Sequence, residues 1–322
     1  MTASPKFLDV FEQLRPRLFG IGYRMLGDAH EAEDLVQECY LRWHEADHAS
    51  IIAPEGWLVT VMTRLAIDRL HRAETERLSY VGHWLPEPIA TGFDAHDFAA
   101  PPPDVRVERD SDLSIAFLML LERLGPEERA AFLLRELFDT PYDEIARVID
   151  RTPGAVRQMV HRARERIRDE RARYTVAPEA QERLLTRFLS AISDGDRDTL
   201  LALFDYDASF ISDGGGKSPA ARRIIVGPDP ITRLLLGVER KWHGVTTHRI
   251  AMLNGEPCIL TLVFGRVFAV TAFATDGERI HRAYRVMNPD KLAFVGVPPL
   301  GEIGRRGRPG RAERAGPSGA GD

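Results

Sequence analysis

The chain is poor in cysteine, in long apolar runs and in charge of one sign, and each shortage removes a class of function. Only Cys39 and Cys258 occur among 322 residues. They lie too far apart in sequence to suggest a disulfide framework or a cysteine-based metal cluster. No stretch is long and apolar enough to read as a membrane span. The opening MTASPKFLDVFEQL lacks the basic-then-apolar order of a secretory signal. A cytoplasmic protein with no membrane partner is therefore expected. The formal net charge of −5 would disfavour nucleic acid if it were spread evenly. It is not: residues 151–173 are strongly basic, whereas residues 122–144 and the first helices carry many acids. Phosphate attraction follows local charge, so the total decides little.

What the chain does have is a dense signal at Pro141–Arg171. Tyr142, Ile145, Ala146 and Ile149 recur at the spacing of one buried helical face. Thr152 supplies an N-cap, and Pro153 sits at the first helical position, where its missing N–H costs nothing. Val156, Val160, Ala163 and Ile167 continue as the seam of a second helix whose other faces carry Arg157, Gln158, His161, Arg162, Arg164, Arg166 and Arg168. Two helices, a short turn and an arginine-rich second helix predict a helix-turn-helix that binds DNA. Glu165, Asp169 and Glu170 are too few to neutralise its arginines.

Three helices are predicted upstream. Phe7–Met25 keeps a helical period, with Pro16 placed to kink it, and Gly27-Asp28 ends it. His30–Ala46 opens with Glu31, Glu33 and Asp34, as the positive end of a helix favours. Pro54–Ala73 ends in a basic turn, and Trp57 shares a period with Val61 and Leu65, which marks it as core. Leu113–Leu124 and Glu127–Phe138 are two further helices before the helix-turn-helix. Beyond Pro178 a new domain starts, and its period changes after residue 205. A helical stretch, Glu179–Asp205, precedes β-prone runs at Ala208–Ser212, Ile224–Val226, His248–Leu253, Ile259–Phe264, Val267–Thr275 and Ile280–Val286. Helices followed by a curved antiparallel sheet form an α+β order.

These segments carry a resemblance. GDAHEAEDLVQECYLRWHEA followed by PEGWLVTVMTRLAIDRLHRA resembles domain 2 of extracytoplasmic-function sigma factors, and Pro126–Arg171 resembles their domain 4. The last part resembles SnoaL-like members of the nuclear-transport-factor-2 superfamily, in which helices close a bent sheet over a cavity. Three motifs match the subgroup that carries such a domain fused at the C-terminus: Trp84-Leu85-Pro86-Glu87-Pro88, Asp213-Gly214-Gly215-Gly216-Lys217 and Asn288-Pro289-Asp290-Lys291-Leu292. The expected organisation is sigma domain 2 at 1–74, a linker at 75–112, sigma domain 4 at 113–174, a SnoaL-like domain at 178–300 and a disordered tail at 301–322. The fold class is thus all-α sigma domains followed by an α+β cone.

The resemblance implies partners and sites. Asp34, Leu35, Gln37 and Glu38 would dock on the largest subunits of core RNA polymerase. Arg64, Asp68, Arg69 and Arg72 would hold the melted minus-10 strand of promoter DNA, although Arg64-Leu65-Ala66 departs from the usual Asn-Leu-Ala. Arg157, Gln158, His161, Arg162 and Arg164 would read the minus-35 element, base edges by the leading residues and phosphates by the rest. The C-terminal domain would regulate in cis, in place of a separate anti-sigma factor, through Trp84, Leu85, Pro86, the glycine loop and the Asn288–Lys291 turn. The Tyr80–Pro88 island is too apolar for an ordinary linker, so it docks either on domain 2 or on the C-terminal domain. No catalytic residue, cofactor or metal is expected, while a small ligand in the cone is left open. Two rivals stand beside this reading. One is a fused enzyme using Asp213, His248 or Tyr284; the other is a one-component helix-turn-helix regulator with a ligand-binding cone, which leaves residues 27–73 unexplained.

Overall fold

The computed structural model describes residues 5–90, 113–173 and 176–296. The expectations for the rest of the linker and for the tail fall outside these residues. Three helices come first: α1 (Pro5–Leu26), α2 (Ala29–Glu45) and α3 (Pro54–Arg77). α1 is unbroken across Pro16. Asp28 caps α2 by accepting from the Glu31 N–H at 2.9 Å. Gly27 precedes that cap at φ +67, and a Cβ there would stand 2.7 Å from the Trp84 ring, so both the turn and the linker require glycine.

Four helices follow the linker: α4 (Ile115–Leu121), α5 (Pro126–Glu136), α6 (Tyr142–Val148) and α7 (Pro153–Arg173). The α6–α7 turn forms as its sequence predicts, with the Thr152 hydroxyl accepting from the Ala155 N–H at 3.2 Å. Val156, Val160, Ala163 and Ile167 are buried along one stripe of α7.

The last part comprises α8 (Pro178–Asp194), α9 (Arg197–Leu203), β1 (Phe204–Asp213), β2 (Ile225–Val226), α10 (Pro228–Lys241), β3 (Thr246–Leu253), β4 (Glu256–Val263), β5 (Arg266–Thr275) and β6 (Ile280–Val286). The α+β order is as expected, but α10 is absent from the sequence reading. Gly227 and Pro228 at its start, and Ile231, Leu235 and Val238 on one face, are the signal that marks it. The sheet also differs from the antiparallel expectation. Its order is β2-β1-β6-β5-β4-β3, and β1 runs parallel to β6, with Asp213 opposite Val286. The chain crosses by α10 to the far edge and meanders back, arriving beside β1 in the same direction. This parallel pair sets the C-terminal ends of β1 and β6 side by side; an antiparallel pair would place them at opposite edges. The Asp213–Lys217 loop and the Asn288–Lys291 turn thereby become neighbours.

The sheet is covered on both faces. Ile259, Phe273 and Ala283 face α8, α9 and α10, whereas Leu260, Leu262, Val270, Ala272 and Tyr284 join one apolar core with α1 to α7. β4 and β5 are consequently buried along nearly their whole length, as two-sided burial demands.

Candidate functional site

Four surfaces carry the sequence-predicted residues. On α7, Arg157, Gln158, His161 and Arg162 are all exposed. Arg164 is not free: Glu136 of α5 accepts from its Nε at 3.0 Å and its Nη2 at 2.6 Å, which holds the guanidinium's proton more tightly than usual. Arg166 pairs likewise with Glu128 at 2.7 Å. The acids paired with Arg164 and Arg166 come from α5, which the composition of α7 alone cannot reveal.

On α2, Asp34 and Gln37 are exposed and Glu38 is half-buried, paired with Arg42 at 2.7 Å. Leu35 is 4% exposed and belongs to the core beneath them, so it supports this face instead of forming it. Leu41, 58% exposed, completes the i, i+3, i+4, i+7 row with Asp34, Gln37 and Glu38. The sequence reading missed it, although its spacing was legible.

On α3, Asp68 and Arg72 are exposed. Arg69 grips Glu31 of α2 with two hydrogen bonds and also reaches Glu76. Hydrogen bonding to Arg69 draws the Glu31 carboxyl below its ordinary range, and Glu31 raises Arg69 in turn. Arg69 is thus a strut between helices. Arg64 crosses to the helix-turn-helix, donating from Nε to the Val148 carbonyl and from Nη2 to the Arg147 carbonyl, each at 2.9 Å. These are terminal carbonyls of α6, where a cation is favoured. Beside this contact opens a cleft of about 690 Å³, walled on one side by Ile51, Ile52, Trp57 and Thr60 and on the other by Thr140, Glu144, Arg147 and Val148. Ile52 is fully exposed, while Trp57 is half-buried against Trp43, with ring centroids 5.5 Å apart.

The fourth surface is the linker cradle. Leu85 and Ile89 are wholly buried, and Pro86, Glu87 and Pro88 are buried with them. The segment docks on both candidate bodies at once. Asp213, with no exposure, accepts from the Tyr80 hydroxyl at 2.6 Å, the Leu85 N–H at 3.0 Å, the Gly215 N–H at 3.0 Å and Lys291 Nζ at 2.8 Å. Lys291 also donates to the Leu85 carbonyl at 2.6 Å. Burial draws the Lys291 ammonium down, against the pull of Asp213. Asn288 donates to the Tyr80 hydroxyl at 3.0 Å. Trp84 is half-buried, its ring centroid 3.7 Å from the Arg77 guanidinium carbon and 4.2 Å from Lys291 Nζ, a cation–π setting. A Cβ on Gly215 would fall on the Asn288 side chain. On the helical side, Glu87 accepts from the Ala29 N–H at 2.7 Å and faces His30 Nδ1 at 3.0 Å. Burial, then the neighbouring Asp28, pushes its carboxyl up to about 7. Asn254 accepts from the Ile89 N–H at 3.0 Å and donates to the Tyr23 hydroxyl and to the Leu113 carbonyl. Asn254 was not assigned to this site from sequence, and Tyr80 and Glu87 entered only as members of the docking segment, with no partner named for either. Lys217 and Asp290 pair at the rim, 2.7 Å apart.

A cavity of about 150 Å³ lies between the sheet and α8 and α10. His248 lines it, but Tyr284 faces the opposite side of the sheet and Asp213 holds the linker. The acid–base set of the enzyme rival is therefore not assembled.

The model of sigma-70 region 2 matches residues 10–76, and that of sigma-70 region 4 matches residues 114–167. The chain is 37% identical over 299 residues to the extracytoplasmic-function sigma factor SigJ of Mycobacterium tuberculosis, covering 89% of this chain and 93% of SigJ. It belongs to the extracytoplasmic-function RNA polymerase sigma factors. A probable sigma factor of the same organism, SigI, is 34% identical over 86% of this chain and 92% of its own. The crystal structure of SigJ superimposes with a TM-score of 0.72 at 34% identity, covering 91% of this chain and all of that one. As a sigma factor the protein binds core RNA polymerase and promoter DNA and directs initiation. The one-component rival fails on region 2, which a simple repressor does not need. Among the described residues no helix is long and apolar enough to cross a membrane.

Proposed function

We propose that this sigma factor is restrained in cis, with its C-terminal domain acting as a built-in anti-sigma element in the cytoplasm and no separate one required. Asp34, Gln37, Glu38 and Leu41 dock on the polymerase clamp. Ile52, Trp57, Asp68 and Arg72, joined by Arg64 once released, hold the melted minus-10 strand. Arg157, Gln158 and His161 read the minus-35 bases, with Arg162 and a freed Arg164 on phosphates. Catalysis has no part in this reading.

The observation that supports the restraint is the Arg64 bridge to α6. The minus-10 and minus-35 elements lie about 25 base pairs apart, or roughly 85 Å at about 3.4 Å per pair. Helices joined by a 2.9 Å hydrogen bond cannot span that distance. Region 4 also walls the cleft beside the strand-holding loop. The arrangement is a closed state that promoter engagement must open. Fluorescent labels on α3 and α7 test this: their separation should grow by tens of ångströms when core polymerase is added, alongside initiation from a cognate promoter by these two components alone. An unchanged separation in an initiating complex would remove the restraint; no initiation at all would remove the function.

A further inference from the structure

The cavity under the sheet holds a cation that makes no close ion pair among the described residues. Arg285 projects from β6 into it and is half-buried; desolvation draws its guanidinium below its ordinary range, against the pull of Glu239. Its one hydrogen bond among the described residues is a long one to the Thr271 hydroxyl, 3.5 Å. Glu239 also lines the cavity and acts on Arg285 by charge, but its hydrogen bonds go elsewhere: its Oε2 lies 3.0 Å from His248 Nε2 and its Oε1 accepts from the Thr246 hydroxyl at 3.5 Å. His248 Nδ1 lies 3.2 Å from the Thr261 hydroxyl. The remaining wall is largely apolar, chiefly Phe188, Ile192, Phe210, Leu235, Trp242 and Phe268. A half-buried guanidinium against a largely apolar wall gains from an anion that meets it, and its fork of donors matches a carboxylate. The volume, about 150 Å³, is close to that of an engineered apolar cavity, about 150 Å³, that takes up benzene in another protein.

We infer that this cavity binds a small monocarboxylate with a compact apolar body, ring inward among the aromatic side chains and carboxylate on Arg285. The inference does not depend on the restraint proposed above. The wall formed by Pro219, Ala220 and Ala221 leads directly from the glycine loop, and the lining residues Ser212 and Met287 immediately precede Asp213 and Asn288. An occupant therefore touches the residues next in sequence to those that grip the linker.

The test uses the full chain and three probes, benzoate, phenylacetate and cyclohexanecarboxylate, titrated by calorimetry or ligand-observed NMR. At least one should bind with a submillimolar Kd, and its neutral amide should bind at least tenfold more weakly. Arg285→Gln should lose at least tenfold in affinity for the acid while leaving the amide unaffected. No binding of any probe at 10 mM, or an amide that binds as well as its acid, overturns the proposal. The acid–amide comparison needs no variant, so a misfolded Arg285→Gln cannot obscure the result.

Discussion

Removing the Asp213 carboxylate should open the cradle, and the size of the effect follows from what it holds. Its two oxygens accept from four donors, one of them the buried ammonium of Lys291. In Asp213→Ala that ammonium keeps only the Leu85 carbonyl and the faces of Trp84 and Tyr80. Breaking a buried ion pair by deleting one partner costs about 3–5 kcal/mol. The remaining contacts of Lys291 argue for the lower end, about 3 kcal/mol, or roughly a hundredfold in the closed–open equilibrium. Adding Lys291→Met removes the stranded charge, and replacing both members of such a pair by apolar groups is often close to neutral. The double variant should therefore close better than Asp213→Ala, though below wild type because Tyr80 and the Leu85 N–H still lack their acceptor. Cys39 and Cys258 are both buried, so cysteines introduced at the exposed positions Glu74 and Asp198 would take dyes selectively. Energy transfer followed through a urea titration gives an opening midpoint for each variant. A midpoint unmoved in Asp213→Ala, or a double variant that opens more readily than the single one, would refute the reasoning.

Other perturbations make separate points. Leu85→Ala empties a fully buried site and should cost about 2–5 kcal/mol of closure, read as a lower opening midpoint with unchanged far-UV circular dichroism. Glu87 should make closure pH-dependent. Its docked pKa of about 7 lies above the ordinary 4.5, so the docked state holds the extra proton between these values. That contribution to closure is complete below pH 4.5 and is lost as pH rises through 7; Glu87→Gln should flatten the midpoint across this window. Gly215→Ala should loosen the cradle by pushing Asn288 off Tyr80, visible as faster proteolysis of the linker. Arg157→Ala should relax base preference at the minus-35 element in a promoter library, whereas Arg162→Ala should weaken all sequences evenly and reduce the salt dependence of binding.

Short-range chemistry made the helical half legible. A period of 3.6, the Thr152–Pro153 start and the Gly27-Asp28 break are each written within a few residues, and the structure forms them where they were expected. The failures share a physical cause, since each depends on residues far apart in sequence. Leu35 entered the docking set through the family resemblance, yet its position in the helical turn, in step with Cys39 and Trp43, sends it inward. Arg164 looked unpaired because its acid, Glu136, stands 28 residues upstream. The direction of β6 against β1 is fixed by the crossover through α10, and the sequence reading overlooked that helix. One clue was available and unused. Residues 257–263 and 267–275 are almost continuously apolar rather than alternating, a pattern that marks a sheet covered on both sides. It forecasts a second body packed on the cone, and the linker motif then had two surfaces to join instead of one.

The position of the cradle explains how separate inputs can act on one equilibrium. On the proposed restraint, polymerase needs the two promoter-reading modules apart and binds only the open state, so its apparent affinity falls by the fraction of molecules that are closed. A change at the cradle alters that affinity only through this fraction. Asp213→Ala can therefore strengthen polymerase binding up to the point at which nearly every molecule is open, and no further. A cone ligand is bound by the same arithmetic in the opposite direction. It shifts closure only by its difference in affinity for the two states, and the residues it touches are continuous in backbone with the grip on the linker. Met287 and Asn288 donate their N–H groups to the Asp213 carbonyl at 2.7 and 3.0 Å, so the ends of β1 and β6 move as a unit or not at all. If an occupant fixes those ends in the docked geometry, it must raise the opening midpoint and, while most molecules are closed, lower polymerase affinity by the same factor as it shifts the closed–open equilibrium. A ligand that changed one without the other would show that cavity and linker are uncoupled.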